Sequence, residues 1–153
     1  MARFFRRGVS KVYWLPACAS PSSGPTAGEF SSGTNLSPYV KEVNGFQLQN
    51  SPISTPDLET TFDSQMDGPD TTSDSSLKLY DDKDTSTVRT LLTKGQSGFL
   101  LLAPYGIASG KRCEVWPCKS LGFNDEWSMD AVSADAMVQF AITVKPSQSA
   151  AMP

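Results

Sequence analysis

Only residues 84–95 carry apolar side chains at helical spacing, with Val88, Leu91 and Leu92 at i, i+3 and i+4. Elsewhere the apolar residues either alternate or come in short runs cut by Gly, Pro and Ser. A chain of 153 residues with one helix of about three turns must build its core from strands. Asp84 is placed as the helix N-cap, Lys94 suits the negative end of the dipole, and Gly95 is a stop.

The strand signals vary in strength. Over 136–144, Ala136, Val138, Phe140, Ile142 and Val144 share one face, while Met137, Gln139, Thr143 and Lys145 take the other. The run at 99–103 is short and lies between Gly and Pro, which predicts a strand buried on both faces. Leu77 and Leu79 mark a strand over 76–82. Pro117 gives the strand at 113–123 an edge or bulged position. Over 58–66, Leu58, Phe62 and Met66 point one way, and Asp57, Glu59 and Asp63 the other. Residues 9–19 and, more weakly, 40–49 complete the set, with Gly45 marking a bulge.

Between these lie a long polar loop at 20–37, expected to be mobile, a loop at 66–74 and a polar connection at 124–130. An N-terminal arm at 1–8 and a tail at 146–153 flank a single domain spanning 1–153. The expected fold is mainly β, a β-sandwich or curled barrel of about seven strands with one flanking short α-helix and long loops.

Composition narrows the chemistry. The net charge of -3 disfavours a generic nucleic-acid binder. Histidine is absent, which removes the usual acid–base residue and the middle member of a catalytic triad. Cys113 and Cys118, five apart, fall on opposite strand faces and share neither metal nor bridge. Asp57, Glu59 and Asp63 are the one carboxylate group that could serve a hydrolase, but nothing beside them would bury a carboxyl. Trp14, Trp116 and Trp127 would make a sugar platform in a carbohydrate-binding sandwich, or pack cores and interfaces. No catalytic residue, cofactor or metal site is assigned. No run reaches the length of a membrane span, and Arg6, Arg7 and Lys11 interrupt any signal-like run, so a soluble, intracellular product is expected.

The charges fall in blocks. Residues 1–50 carry Arg3, Arg6, Arg7, Lys11 and Lys41 against Glu29 and Glu42, whereas 51–90 are strongly acidic. A basic arm and an acidic middle suit a head-to-tail assembly of copies.

The opening 1–8, Lys11-Val12-Tyr13-Trp14, Glu42-Val43-Asn44-Gly45-Phe46, Thr55-Pro56-Asp57-Leu58, the stretch 74–83, the stretch 88–95 and Pro104-Tyr105-Gly106 carry a family resemblance. Together they resemble the major tail tube proteins of long-tailed, non-contractile (siphovirus-type) phages, especially those of actinobacteria. The resemblance implies a homo-oligomer of hexameric rings, whose strands join into a continuous inner barrel and whose stacking makes the tail tube in the virion. It implies the tape measure protein in the lumen and tail terminator and distal tail proteins at the ends. DNA would pass only in transit, and there would be no catalysis or cofactor. Assembly would take place in the host cytoplasm. Asp57, Glu59 and Asp63 become candidates for the lumen wall. Arg3, Arg6, Arg7 and Lys11 become an inter-subunit arm, and the loops at 20–37 and 66–74 ring-to-ring contacts that order on assembly. A tail terminator or head-decoration subunit is the nearest alternative.

Overall fold

The structure, a computed structural model, describes residues 1–130 and 133–153. It is mainly β, with 43% strand and 7% helix. The first third holds β1 (Lys11–Leu15), α1 (Ala27–Ser31), β2 (Thr34–Asn35) and β3 (Val40–Asn44). Four short strands follow: β4 (Leu48–Asn50), β5 (Ile53–Thr55), β6 (Ser64–Met66) and β7 (Asp70–Thr72). The remainder is β8 (Ser75–Tyr80), α2 (Thr87–Leu91), β9 (Ser97–Ala103), β10 (Arg112–Glu126), β11 (Asp135–Ile142) and β12 (Ser147–Ala151). Eight strands make one antiparallel sheet in the order β2-β1-β9-β10-β11-β8-β3, with β12 also pairing β10. The sheet does not close into a barrel.

Two apolar clusters cover opposite faces of the central strands. Leu100, Trp116 and Cys118 point into the larger one, and Leu101, Cys113 and Val115 into the smaller. The strand at 99–103 is therefore buried on both faces as expected, and the two cysteines do face apart. The sheet also curls. On a flat sheet β1 and β11 would stand roughly 14 Å apart, three strand spacings. Yet the rings of Trp14 and Phe140 approach to 5.9 Å between centroids. Phe46 closes the larger cluster edge-on to Trp116. Leu77, Leu79 and Val138 enter it from β8 and β11.

β10 is fifteen residues long because it changes partner. Its first half pairs β12 and its second half pairs β11, while β9 runs along its other side. Pro117 sits at the change-over. Its carbonyl accepts the N–H of Thr143, so its nitrogen faces the same side, beyond the last β12 pair at Val115. The edge or bulged position expected for Pro117 is thus corrected to a central strand, at the one place where no ladder partner needs its missing donor. The same pairing carries 124–126 into β10, where a polar connection was expected.

Local chemistry accounts for the other corrections. The carboxylate of Asp82 takes the Asp84 N–H and the Thr85 hydroxyl, so Asp84 is held in a turn and does not cap. The helix shrinks to α2, which seats Val88 and Leu92 in the core. The loop at 20–37 is not structureless. Thr26 and Glu29 form a reciprocal capping box that starts α1, and Leu36 is fully buried. Two backbone N–H groups, of Thr26 and Ala19, hold the Glu29 carboxyl below its usual range. The tail at 146–153 is β12, with Ala150 and Met152 buried in the smaller cluster. Gly45 ends β3 at φ +78°, and the shift in register comes earlier, between Val40 and Glu42.

Candidate assembly interface

Between β3 and β8 the chain leaves the sheet as one long hairpin. β4 pairs β7, and β5 pairs β6 beyond it. The two ladders are joined unevenly, by Ser51-Pro52 on one strand and Asp67-Gly68-Pro69 on the other. Asn50 clips this joint. Its Nδ2 donates to the Gly68 carbonyl and to Asp70 Oδ1, both at 2.8 Å, and its Oδ1 accepts the Gly68 N–H at 3.2 Å. A Cβ at Gly68 would lie 1.7 Å from the Ser51 carbonyl oxygen, so the joint closes only on glycine. At the same level Lys145, from the body, meets Asp70 at 3.2 Å. Asn50 first, and Lys145 second, hold the Asp70 carboxyl below its usual range. At ~3.3 Å per residue, the eight residues from Leu48 to Thr55 reach roughly 25 Å.

The tip, 56–63, is a loop. Asp57 Oδ1 accepts the N–H groups of Glu59 and Thr60 at 2.9 Å each, a side-chain-closed turn. This corrects the strand expected over 58–66, of which only Ser64–Met66 is formed. The alternating pattern has no partner strand there, Pro56 lacks a ladder donor, and Asp57 competes for the backbone. Asp57, Glu59 and Asp63 therefore share the tip of an arm and not one face of a strand. Most of the arm is exposed, and its large apolar side chains reach solvent: Leu58 fully, Phe62 at 76%, and Ile53 and Met66 about half.

A second feature lies at the mouth of the curled sheet. Here β1, β9 and the start of β10 face β3 across a groove of about 740 Å³. Val12 and Leu102 line it together with Arg6, Arg7, Lys11 and Lys41. A turn at Gly8, φ +80°, in which Val9 and Ser10 donate to the Arg6 carbonyl, brings the arginines there. Lys41 is engaged by Asp135 at 2.8 Å, and Arg112 by Glu114 at 3.2 Å. Arg6, Arg7 and Lys11 make no ion pair among the described residues. Three of the four basic residues assigned to an arm are thus gathered at one groove; Arg3 lies outside it.

The other candidates disperse. Trp14 and Trp116 are core residues and only Trp127 is exposed, so no tryptophan platform exists. Burial pushes the Cys113 thiol up to about 11 and the Cys118 thiol up to about 12, so neither is a thiolate near neutrality. Among the described residues no His/Cys/Asp/Glu group could hold a metal, and no helix is long and apolar enough to cross a membrane. The joint is not apparent from strand periodicity. Its signal was Asn50 and Gly68 beside two prolines, in a segment with alternating flanks.

The fold is shared with solved assemblies. A chain of the anti-feeding prophage baseplate, 6-fold symmetrised, superposes with TM-score 0.61 at 6% identity, covering 94% of this chain and 95% of that one. A chain from the tail of an empty GTA particle, refined helically with C6 symmetry, gives 0.57 at 12% identity over 97% and 100%. One from the virion of a native gene transfer agent gives 0.52 at 13% over 78% and 91%. No curated protein sequence matches the chain. The sequence model of the phage tail tube protein family matches residues 1–153, and the chain belongs to that family as a structural subunit of the virion tail.

Proposed function

We propose that this subunit assembles in the host cytoplasm into six-membered rings that stack into a hollow tail tube, which houses a tape measure protein and then conducts DNA. The observation that carries this reading is the exposed hairpin. A two-stranded hairpin is marginal alone in water, and one that displays Ile53, Leu58, Phe62 and Met66 needs a second surface to cover them. The ring number is supported by the C6 and 6-fold assemblies from which similar chains come. The tail type, non-contractile and actinobacteriophage, rests on the sequence resemblance alone, as do terminator and distal partners at the tube ends. The role is mechanical and non-catalytic.

The sheet supplies the remaining requirement. β2 and β3 are open edges, with backbone groups that pairing between neighbouring subunits would satisfy. The face of β11, β8 and β3 turned away from the larger core carries Gln139, Lys78 and Glu42. Lys78 is held by Glu126 at 3.1 Å and Lys41 by Asp135, so these lysines are not bare toward phosphate. We place the channel wall on this paired face. Asp57, Glu59 and Asp63, on a projecting tip, suit contact between subunits better than the wall.

Negative-stain microscopy of the purified chain tests the reading. Hollow tubes or sixfold rings are expected, and Leu58→Ser with Phe62→Ser should leave a folded subunit that forms neither. A wild-type chain that stays monomeric at every concentration overturns it.

A further inference from the structure

We infer that the groove at the mouth of the sheet receives the hairpin tip of a second copy of this chain. The inference rests on the tube reading and names the contact that propagates it. The chain between Lys41 and Lys78 contains no Lys or Arg, while Asp57, Glu59 and Asp63 lie on the tip and Asp67 at the joint behind it. The groove offers the opposite charge in Arg6, Arg7 and Lys11, none of them engaged by a carboxylate among the described residues; they outnumber Glu42, the one lining carboxylate among those residues without an ion pair.

The apolar surfaces match as well. Val12 and Leu102 are partly buried in the groove, and Leu58 and Phe62 are exposed between the tip carboxylates. A volume of about 740 Å³ takes side chains of this size. The occupant is not the chain's own tip. No residue of 44–101 lines the groove, and Leu58 is as exposed as in an open chain. A tip that enters the groove of the next copy, whose tip enters the one after, is a heterologous contact. Such a contact does not close on a pair, and repeated along an axis it stacks.

Two charge-reversed chains test this. One carries Glu59→Lys and Asp63→Lys, leaving the Asp57 turn intact. The other carries Arg6→Glu and Arg7→Glu. Each alone puts like charge on tip and groove, and the critical concentration for sedimentable polymer should rise at least about tenfold. Mixed in equal amounts, the reversed tip meets the reversed groove and the native tip the native groove, so tubes should return. Wild-type tubes with reversed chains that also polymerise normally overturn the inference and leave the tube reading standing. Reversed chains that fail alone and also fail when mixed overturn it too. A wild-type chain that makes no ring or tube removes the reading beneath it. Zero-length carbodiimide cross-linking of wild-type polymer needs no variant. Glu59 or Asp63 joined to Lys11 is expected, and a map joining both only to other lysines overturns the pairing.

Discussion

Sheet and arm both consist of antiparallel pairs with alternating side chains, and they dispose of apolar residues in opposite ways. In the sheet Leu77, Leu79, Leu100, Leu101 and Trp116 are fully buried. In the arm Ile53, Leu58, Phe62 and Met66 all reach solvent. The central sheet strands have neighbours on both sides and apolar clusters against their faces. The arm strands have one neighbour each; Leu48, at the root, still reaches the larger cluster, but no apolar cluster lies against β5 or β6. Alternation sets which side chains share a face, and only the third layer sets whether that face is dry. The arm stays ordered through polar clips instead, Asn50 at the joint and Asp57 at the tip. The subunit is thus a body with its own dry core and an arm whose apolar side chains find no cover within the chain.

The largest expected effect separates the two regions. Trp116→Ala opens a cavity in the larger cluster and removes the donor that reaches Glu114 Oε2 at 3.2 Å, leaving that carboxylate with Arg112. The loss should be about 3–5 kcal/mol, a large share of a domain's stability. Phe62→Ser should change the free subunit by less than about 0.5 kcal/mol. Urea denaturation of the unassembled chain measures both. A clear loss from Phe62→Ser would break the comparison, by showing that the arm packs on its own body.

Two glycines sharpen it. Gly45 stands at φ +78° where a Cβ would lie 2.1 Å from the Asp74 carbonyl oxygen, and Phe46 follows at φ +55° with its ring against Trp116. Gly45→Ala should cost the body about 1–3 kcal/mol, because the strain reaches the core through Phe46. Gly68→Ala is as crowded, but it faces arm residues, Ser51, Ile53 and the Asn50 clip. Body melting should hold while amide exchange across 50–70 speeds up. Equal melting losses from the two would mean that arm and body unfold as one unit.

Why some elements were legible in the sequence follows from the same contrast. The faces of 136–140, of Leu77 and Leu79, and of the two cysteines follow from strand geometry, which needs only near neighbours. The double burial of 99–103 follows from its unbroken apolar run. Asp57 shows the limit: its strand pattern is real, but no partner lies opposite and its carboxylate closes a turn instead. Pro117 is central only because β12 ends where β11 begins, a relation between segments some thirty residues away. Met152 is buried because a Ser- and Ala-rich tail finds β10, with no apolar pattern to announce it. Thr26 and Glu29 did carry a local signal, three residues apart, for a helix inside what reads as a mobile loop. For the assembly interface, charge blocks point to acid and base but not to tip and groove, since Arg6 and Lys41 meet only through the curl of the sheet.

The smallest effect compares one carboxylate from each region. Asp135 in the body accepts from Lys41 at 2.8 Å and from Ser133 at 2.9 Å. Lys41 first, then Ser133, hold it below its ordinary 3.8. A depressed carboxyl contributes fully above its unfolded value and loses that contribution as pH falls through its folded value. Its partner Lys41 is raised above its ordinary 10.5, so the same pair fades again only above that alkaline value. Asp70 in the arm is depressed the same way, by Asn50 and Lys145. Acidification from pH about 5 to about 2 should therefore lower the melting midpoint of the body and loosen the arm by separate titrations. Asp135→Asn should flatten part of the melting slope and leave arm amide exchange alone. Asp70→Asn should do the reverse, because the clip it joins supports the hairpin and no core residue. If Asp70→Asn flattened the melting slope instead, the β4–β7 ladder would belong to the cooperative unit of the sheet, and the boundary between the two regions would move outward to the joint at Asn50 and Asp70.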